Sequence, residues 1–256
     1  MPVSPKETDA RLAAGHAAAP AIPGSGRVRL FVNRLLFRVM LFTMGSIAVG
    51  LHLIVRNERL TWRFAKAQAR NLARVLGVRV SVRGLENLHG GPFVFVANHQ
   101  SHFDIAAILG FIPGYTRFTA KKELFREPVL GLVMRTMGMV PIDREDTSRS
   151  IERLRRLRAG DHSLVFFPEG TRSRTGTLKP FKKGAFVTAI ELGLPIVPIA
   201  CRGGRAIMPA GGYLSIVPGE MELIVLEPIA TTGLGYDQRD DLADRARAAI
   251  AAALER

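Results

Sequence analysis

The chain has 256 residues, 47% of them apolar and 23% charged, enough for one catalytic core of ordinary size and too apolar for a disordered chain. Its formal charge of +14 raises two partner classes, nucleic acid and anionic membrane. Eleven Lys/Arg fall between Arg27 and Arg79 against one acid, Glu58, in the stretch that also holds the longest apolar run, and only three Tyr and one Trp are present; this argues against nucleic acid and for a membrane surface.

Residues 1–26, rich in Ala, Pro and Gly without apolar period, read as a disordered tail. Val39–Val55 is a run of seventeen residues without Lys, Arg, Asp or Glu, bounded by Arg38 and Arg56, at the lower edge of what spans a bilayer. From Arg59 to Leu76 the basic residues Arg59, Arg63, Lys66, Arg70 and Arg74 recur every three or four positions, one stripe of a helix at about 100° per residue. With Leu60, Trp62, Phe64, Leu72 and Val75 around the rest, residues 27–79 read as a two-helix membrane-binding segment, inserted in one leaflet or barely across. The alternative is a helix packed on the catalytic domain with a solvated basic face. Residues 80–256 alternate β-rich runs (Val78–Val82, Phe93–Ala97, Thr116–Ala120, Ser163–Phe167, Ile196–Ala200, Glu222–Leu226) with helical ones (Asp104–Gly110, Pro128–Met137, Ser148–Arg158, Gly184–Leu192, Gln238–Leu254). That is the pattern of an α/β domain, one sheet flanked by helices. Cys201 is the sole cysteine, so no intrachain disulfide forms, and chemistry is expected on the reducing, cytoplasmic side.

Polar residues crowd where three strands end. Phe93–Ala97 runs into Asn98-His-Gln-Ser-His-Phe-Asp104. His99 and Asp104 stand about 140° apart on a continuous helix, so they meet only if His99 lies in the turn before it. A carboxylate on one imidazole nitrogen fixes the tautomer and raises basicity at the other, making a general base for an alcohol. The competing reading is a helix start capped by Asn98 or Ser101. In Phe166-Phe-Pro-Glu-Gly-Thr-Arg-Ser173, Arg172 offers a planar fork for phosphate and Gly170 a close backbone approach, while Glu169 can accept from a substrate hydroxyl or hold the arginine. Gly138-Met-Val-Pro-Ile-Asp-Arg144 delivers Asp143 and Arg144 from a short strand; an ion pair is the plain alternative.

In order, His-x4-Asp, Gly-x-x-x-Ile-Asp-Arg, Phe-Pro-Glu-Gly-Thr-Arg-Ser and Val197-Pro198-Ile199 resemble the glycerolipid acyltransferase family over residues 80–230. The resemblance implies a single mixed sheet flanked by helices, with 1-acylglycerol-3-phosphate as acceptor and phosphatidic acid as product. It implies His99 as base and Asp104 as its orienting acid. Arg144, Glu169, Gly170, Thr171 and Arg172 would contact the acceptor and its phosphate, and Pro198 belongs to a donor-side or core-side block. The donor would be acyl-CoA or acyl-carrier protein; a thioester is already activated, so neither cofactor nor metal is expected. Lys121, Lys122, Lys182 and Lys183 could extend the basic surface. Expected partners are an anionic phospholipid membrane and a lysophospholipid, at the cytoplasmic face of the membrane. The rivals are the same fold acting on glycerol-3-phosphate, a lyso-ornithine lipid or another lysophospholipid, a silent membrane-interaction protein, and a thioester hydrolase.

Overall fold

The computed structural model describes residues 56–143, 162–173, 175–208 and 216–255, with scattered positions in 31–54 and 152–155. The tail 1–26, about half of Val39–Val55, most of Ser148–Arg158, and Arg144 lie outside the described residues.

Helix α1 (Glu58–Val75) starts where the Asn57 side chain accepts from Leu60 N–H, with Glu58 in its first turn and Arg74 in its last. It buries Thr61, Trp62, Ala65, Ala69, Leu72 and Ala73. The small residues let it approach helix α2 (Phe103–Phe111) closely: a methyl group on Gly110 would stand 3.3 Å from Ala69 Cβ. Lys66 Nζ donates to Ile112 O and Arg70 Nε to Gly110 O, satisfying carbonyls at the open end of α2. Within the segment read as membrane-binding, helix α1, residues 58–75, therefore packs on the catalytic domain and keeps an exposed basic side. Its apolar side sits in the same core as the sheet, because α2 offers a dry surface of matching shape. Two of the five basic residues serve that packing. Among the described residues no helix is long and apolar enough to cross a membrane.

The sheet comprises β1 (Val78–Arg83), β2 (Val94–Ala97), β3 (Tyr115–Lys121), β4 (Val140–Ile142), β5 (His162–Phe166), β6 (Ile196–Arg202) and β7 (Gly219–Val225), in the order β1-β7-β6-β2-β5-β3-β4. Strands β6, β2, β5, β3 and β4 are parallel; β7 runs antiparallel to β6 and parallel to β1, so the sheet is mixed. The parallel centre is covered on both faces, which is why β2, Val-Phe-Val-Ala, is apolar throughout and fully buried. Its Phe95 and Ala97 meet α1 and α2. Val94 and Val96 meet α4 (Gly184–Leu192) and α6 (Arg239–Glu255) on the other face. Helix α3 (Pro128–Thr136) joins β3 to β4, and a one-turn helix α5 (Gly204–Ile207) follows β6.

From β2 the chain leaves to α2 on one face, and from its parallel neighbour β5 to α4 on the other. Adjacent strands departing to opposite faces open a crevice at their carboxyl ends. His99 follows β2 there, and Phe167 to Arg172 follow β5.

Candidate active site

The turn after β2 brings His99 and Asp104 together: His99 Nδ1 lies 2.9 Å from Asp104 Oδ2. The same oxygen accepts the backbone N–H groups of Gln100 and Ser101, each at 2.8 Å. Asp104 is fully buried in the first turn of α2, and an oxygen that collects two amide donors is a carboxylate oxygen. Nδ1 must then carry the proton, which leaves Nε2 with its lone pair. The helix-start reading holds for Ser101, whose Oγ accepts from Phe103 N–H. It fails for Asn98, whose amide pairs reciprocally with Cys201 of β6, Nδ2 to O at 2.9 Å and N–H to Oδ1 at 2.7 Å. Cys201 is buried in the core, and its thiol is pushed well up by burial, with the Asp104 and Glu169 charges adding. It is no nucleophile.

Glu169 has a second task besides the contact expected of it. Its Oε1 accepts from His99 N–H at 2.7 Å and Oε2 from Lys179 N–H at 3.1 Å, so the buried carboxylate ties the turn after β5 to the turn carrying His99. Burial pushes its carboxyl up, opposed by those two amides. Ser173 N–H closes the same junction on His99 O at 2.8 Å. Gly170 makes this turn with φ 71°, a backbone setting that suits glycine. Thr171 is exposed and Arg172 half-buried, its carbonyl accepting from Lys179 Nζ.

Arg172 is close enough to His102 for its charge to act there. Partial burial, then Arg172 and His99, lower the His102 imidazole to about 4. A ring that stays neutral, with no carboxylate partner among the described residues, cannot match the His99 arrangement.

Asp143 is bound by Lys122 through both carboxylate oxygens at 2.9 Å, the ion-pair alternative for that block, and Lys183 pairs with Asp240. Pro198 is buried within β6 opposite Val96 of β2, on the core side of its block. Phe167 carried no role in the sequence reading, yet its ring lies on His99. The available signal was strand alternation: Phe166 packs on the α4 face, so the next residue turns to the face of α2 and His99.

Residues 79–202 match the acyltransferase family model. The chain is 41% identical over 179 residues to a chloroplastic 1-acyl-sn-glycerol-3-phosphate acyltransferase of Brassica napus, covering 68% of this chain and 50% of that protein. It is 34% identical over 211 residues to the 1-acyl-sn-glycerol-3-phosphate acyltransferase of Saccharomyces cerevisiae, covering 79% and 69%. The chain spans about half the length of the plant relatives it matches. The crystal structure of the 1-acyl-sn-glycerophosphate acyltransferase PlsC from Thermotoga maritima superposes with a TM-score of 0.72 at 25% identity, over 89% of this chain and 97% of that one. A mixed sheet with His99 and Asp104 paired at the mouth of its crevice, in a sequence this close to such relatives, belongs to the acyltransferase family.

Proposed function

We propose that the chain transfers a fatty acyl group from an acyl thioester to the free hydroxyl of 1-acylglycerol-3-phosphate, giving phosphatidic acid. The observation that carries the reading is the buried Asp104 carboxylate on Nδ1 of His99, which leaves Nε2 as a base at the carboxyl end of the sheet. Nε2 takes the hydroxyl proton as the oxygen attacks the thioester carbonyl. The tetrahedral intermediate collapses, the carbon–sulfur bond breaks, and the imidazolium returns the proton to the departing thiolate. The ester and a free thiol are the products, with no covalent acyl-enzyme. Arg172 holds the acceptor phosphate with Gly170 and Thr171, and Arg144 adds a second guanidinium. Holding the phosphate turns a bimolecular encounter into a positioned one.

The donor is acyl-CoA or acyl-carrier protein, and the protein works at the cytoplasmic face of an anionic membrane, where a lysolipid keeps its acyl chain in the bilayer. Charge supports this, since eleven of the basic residues fall in residues 27–79. The test is a transfer assay on the full chain in detergent, crossing phosphate-bearing and phosphate-free lyso-acceptors with both donors. Phosphatidic acid from 1-acylglycerol-3-phosphate is the expected product. Equal use of phosphate-free acceptors, or thioester hydrolysis without transfer, rules the reading out.

A further inference from the structure

Asp104 engages its two carboxylate oxygens very differently. Oδ2 meets three donors: His99 Nδ1, Gln100 N–H and Ser101 N–H. Oδ1, equally buried, meets no hydrogen-bond partner among the described residues. It lies instead against Gly204, the first residue of α5, which follows β6. A methyl group on Gly204 would stand 2.4 Å from Oδ1 and 3.2 Å from Ser101 Cβ, and the first separation is shorter than real side chains tolerate.

The preceding residue supplies a contrast. Gly203 has φ 87°, and a Cβ there would run into Glu220 O of β7 at 2.3 Å, so its backbone alone requires glycine. Gly204 has no positive φ and opens a helical turn, where alanine is ordinarily the better residue. What opposes a side chain at 204 is therefore the seat of Asp104. The Asn98–Cys201 pair fixes the height of this turn, because it joins the His99 loop to β6 just before the two glycines.

We propose that Gly204 is a positioning residue for the His99–Asp104 pair. Its missing side chain is the space that Oδ1 fills, and the close wall keeps the carboxylate turned so that Oδ2 stays on His99 Nδ1. Gly204 touches no substrate and acts through Asp104. The inference rests on the reading of His99 as base and Asp104 as its orienting acid.

Four full-length proteins in detergent test it: wild type, Gly204→Ala, Asp104→Ala and the double variant, each measured for kcat, both KM values and thermal melting. Gly204→Ala is expected to lower kcat by about tenfold or more, within the roughly 10²–10⁴-fold that a general base contributes, with both KM values within about twofold of wild type. In the Asp104→Ala background the same change should cost no further activity and no melting temperature, since the oxygen it strikes is gone. Should Gly204→Ala alone fail to fold, a folded double variant supports the proposal and an unfolded one overturns it. An unaltered kcat in Gly204→Ala, or the same loss in both backgrounds, also overturns it. Near-normal activity of Asp104→Ala would instead defeat the underlying base assignment, and the melting comparison would still decide whether Gly204 seats Asp104.

Discussion

The ring of Phe167 lies on the ring of His99, with centroids 4.1 Å apart and planes 23° apart. Asp104 holds one nitrogen of the same imidazole, and Glu169 holds the backbone N–H that carries it. The imidazole is thus fixed at an edge, on a face and at its main chain by three residues, one from the first turn of α2 and two from the turn after β5. Phe167 in turn stacks at 6.4 Å on Phe118 of β3, so the ring is backed by the sheet. Phe167→Leu keeps an apolar side chain and loses the flat contact. Stability should fall by about 0.5–1.5 kcal/mol, the usual worth of such a ring pair, and kcat should fall severalfold with both KM values little changed. A kcat equal to wild type would show that Asp104 alone orients the imidazole.

His102 stands close enough to His99 to be mistaken for the base. Its folded value of about 4 lies below the ordinary 6.5. The unfolded chain therefore binds more protons between those values, and this residue's share of stability is lost as pH falls from about 6.5 toward 4. His102→Gln should flatten that part of the melting-temperature profile and leave the acid limb of kcat in place. If the acid limb disappears with His102, the base assignment moves to it.

Glu169→Gln keeps shape but offers an NH2 group to one of the two amides that the carboxylate accepts. A buried donor left without its acceptor costs about 1–3 kcal/mol, and the His99 turn loosens with it, so kcat should drop along with melting temperature. The pH dependence has a definite sign. With the folded carboxyl raised by burial, the native state binds more protons just above the ordinary glutamate value of 4.5. The wild-type advantage over Glu169→Gln should shrink as pH rises through that window and then level off. A gap that widens with pH would mean the two amides outweigh burial.

Arg172→Lys replaces a planar fork by a point charge. The acceptor KM should rise about tenfold with the donor KM nearly unchanged, the loss of roughly 1.4 kcal/mol of phosphate contact. A rise in the donor KM instead would assign Arg172 to the thioester side of the crevice.

Four of the five basic residues of α1 fall into two pairs. Lys66 and Arg70 donate to carbonyls that end α2, whereas Arg63 and Arg74 are exposed on the helix surface. Arg63→Glu with Arg74→Glu should weaken sedimentation with anionic vesicles, more at low salt than at high, by about 1 kcal/mol for each basic residue removed, and lower the melting temperature only slightly, through the loss of Arg74 from the last turn of α1. Lys66→Glu with Arg70→Glu should lower the melting temperature first. Vesicle binding that ignores the first pair would leave the segment before α1 as the contact.

Short-range pattern was enough to find nearly every element. The apolar runs of β2, β5 and β6 are buried on both faces, so their sequences are continuous, and the polar burst after β2 and after β5 marks where the chain leaves the core. His99, Asp104 and Arg172 stood out for the same reason: reactive side chains gather where a buried strand ends. Spacing along the chain carried no information about what lies across the sheet. Whether the apolar side of α1 meets lipid or α2 depends on α2 presenting a dry, matching surface, which periodicity cannot encode. That Glu169 also holds the backbone of His99, seventy positions earlier, is legible only once the fold brings the two together. Gly204 is invisible in the same way, because its only demand is the volume taken by a carboxylate from the first turn of α2. The sequence by itself determined where reactive side chains gather at the ends of buried strands, through local periodicity and side-chain type. Only the tertiary structure decided which residues hold them in place, because that support comes from backbone amides, ring faces and empty volumes that long-range packing alone brings together.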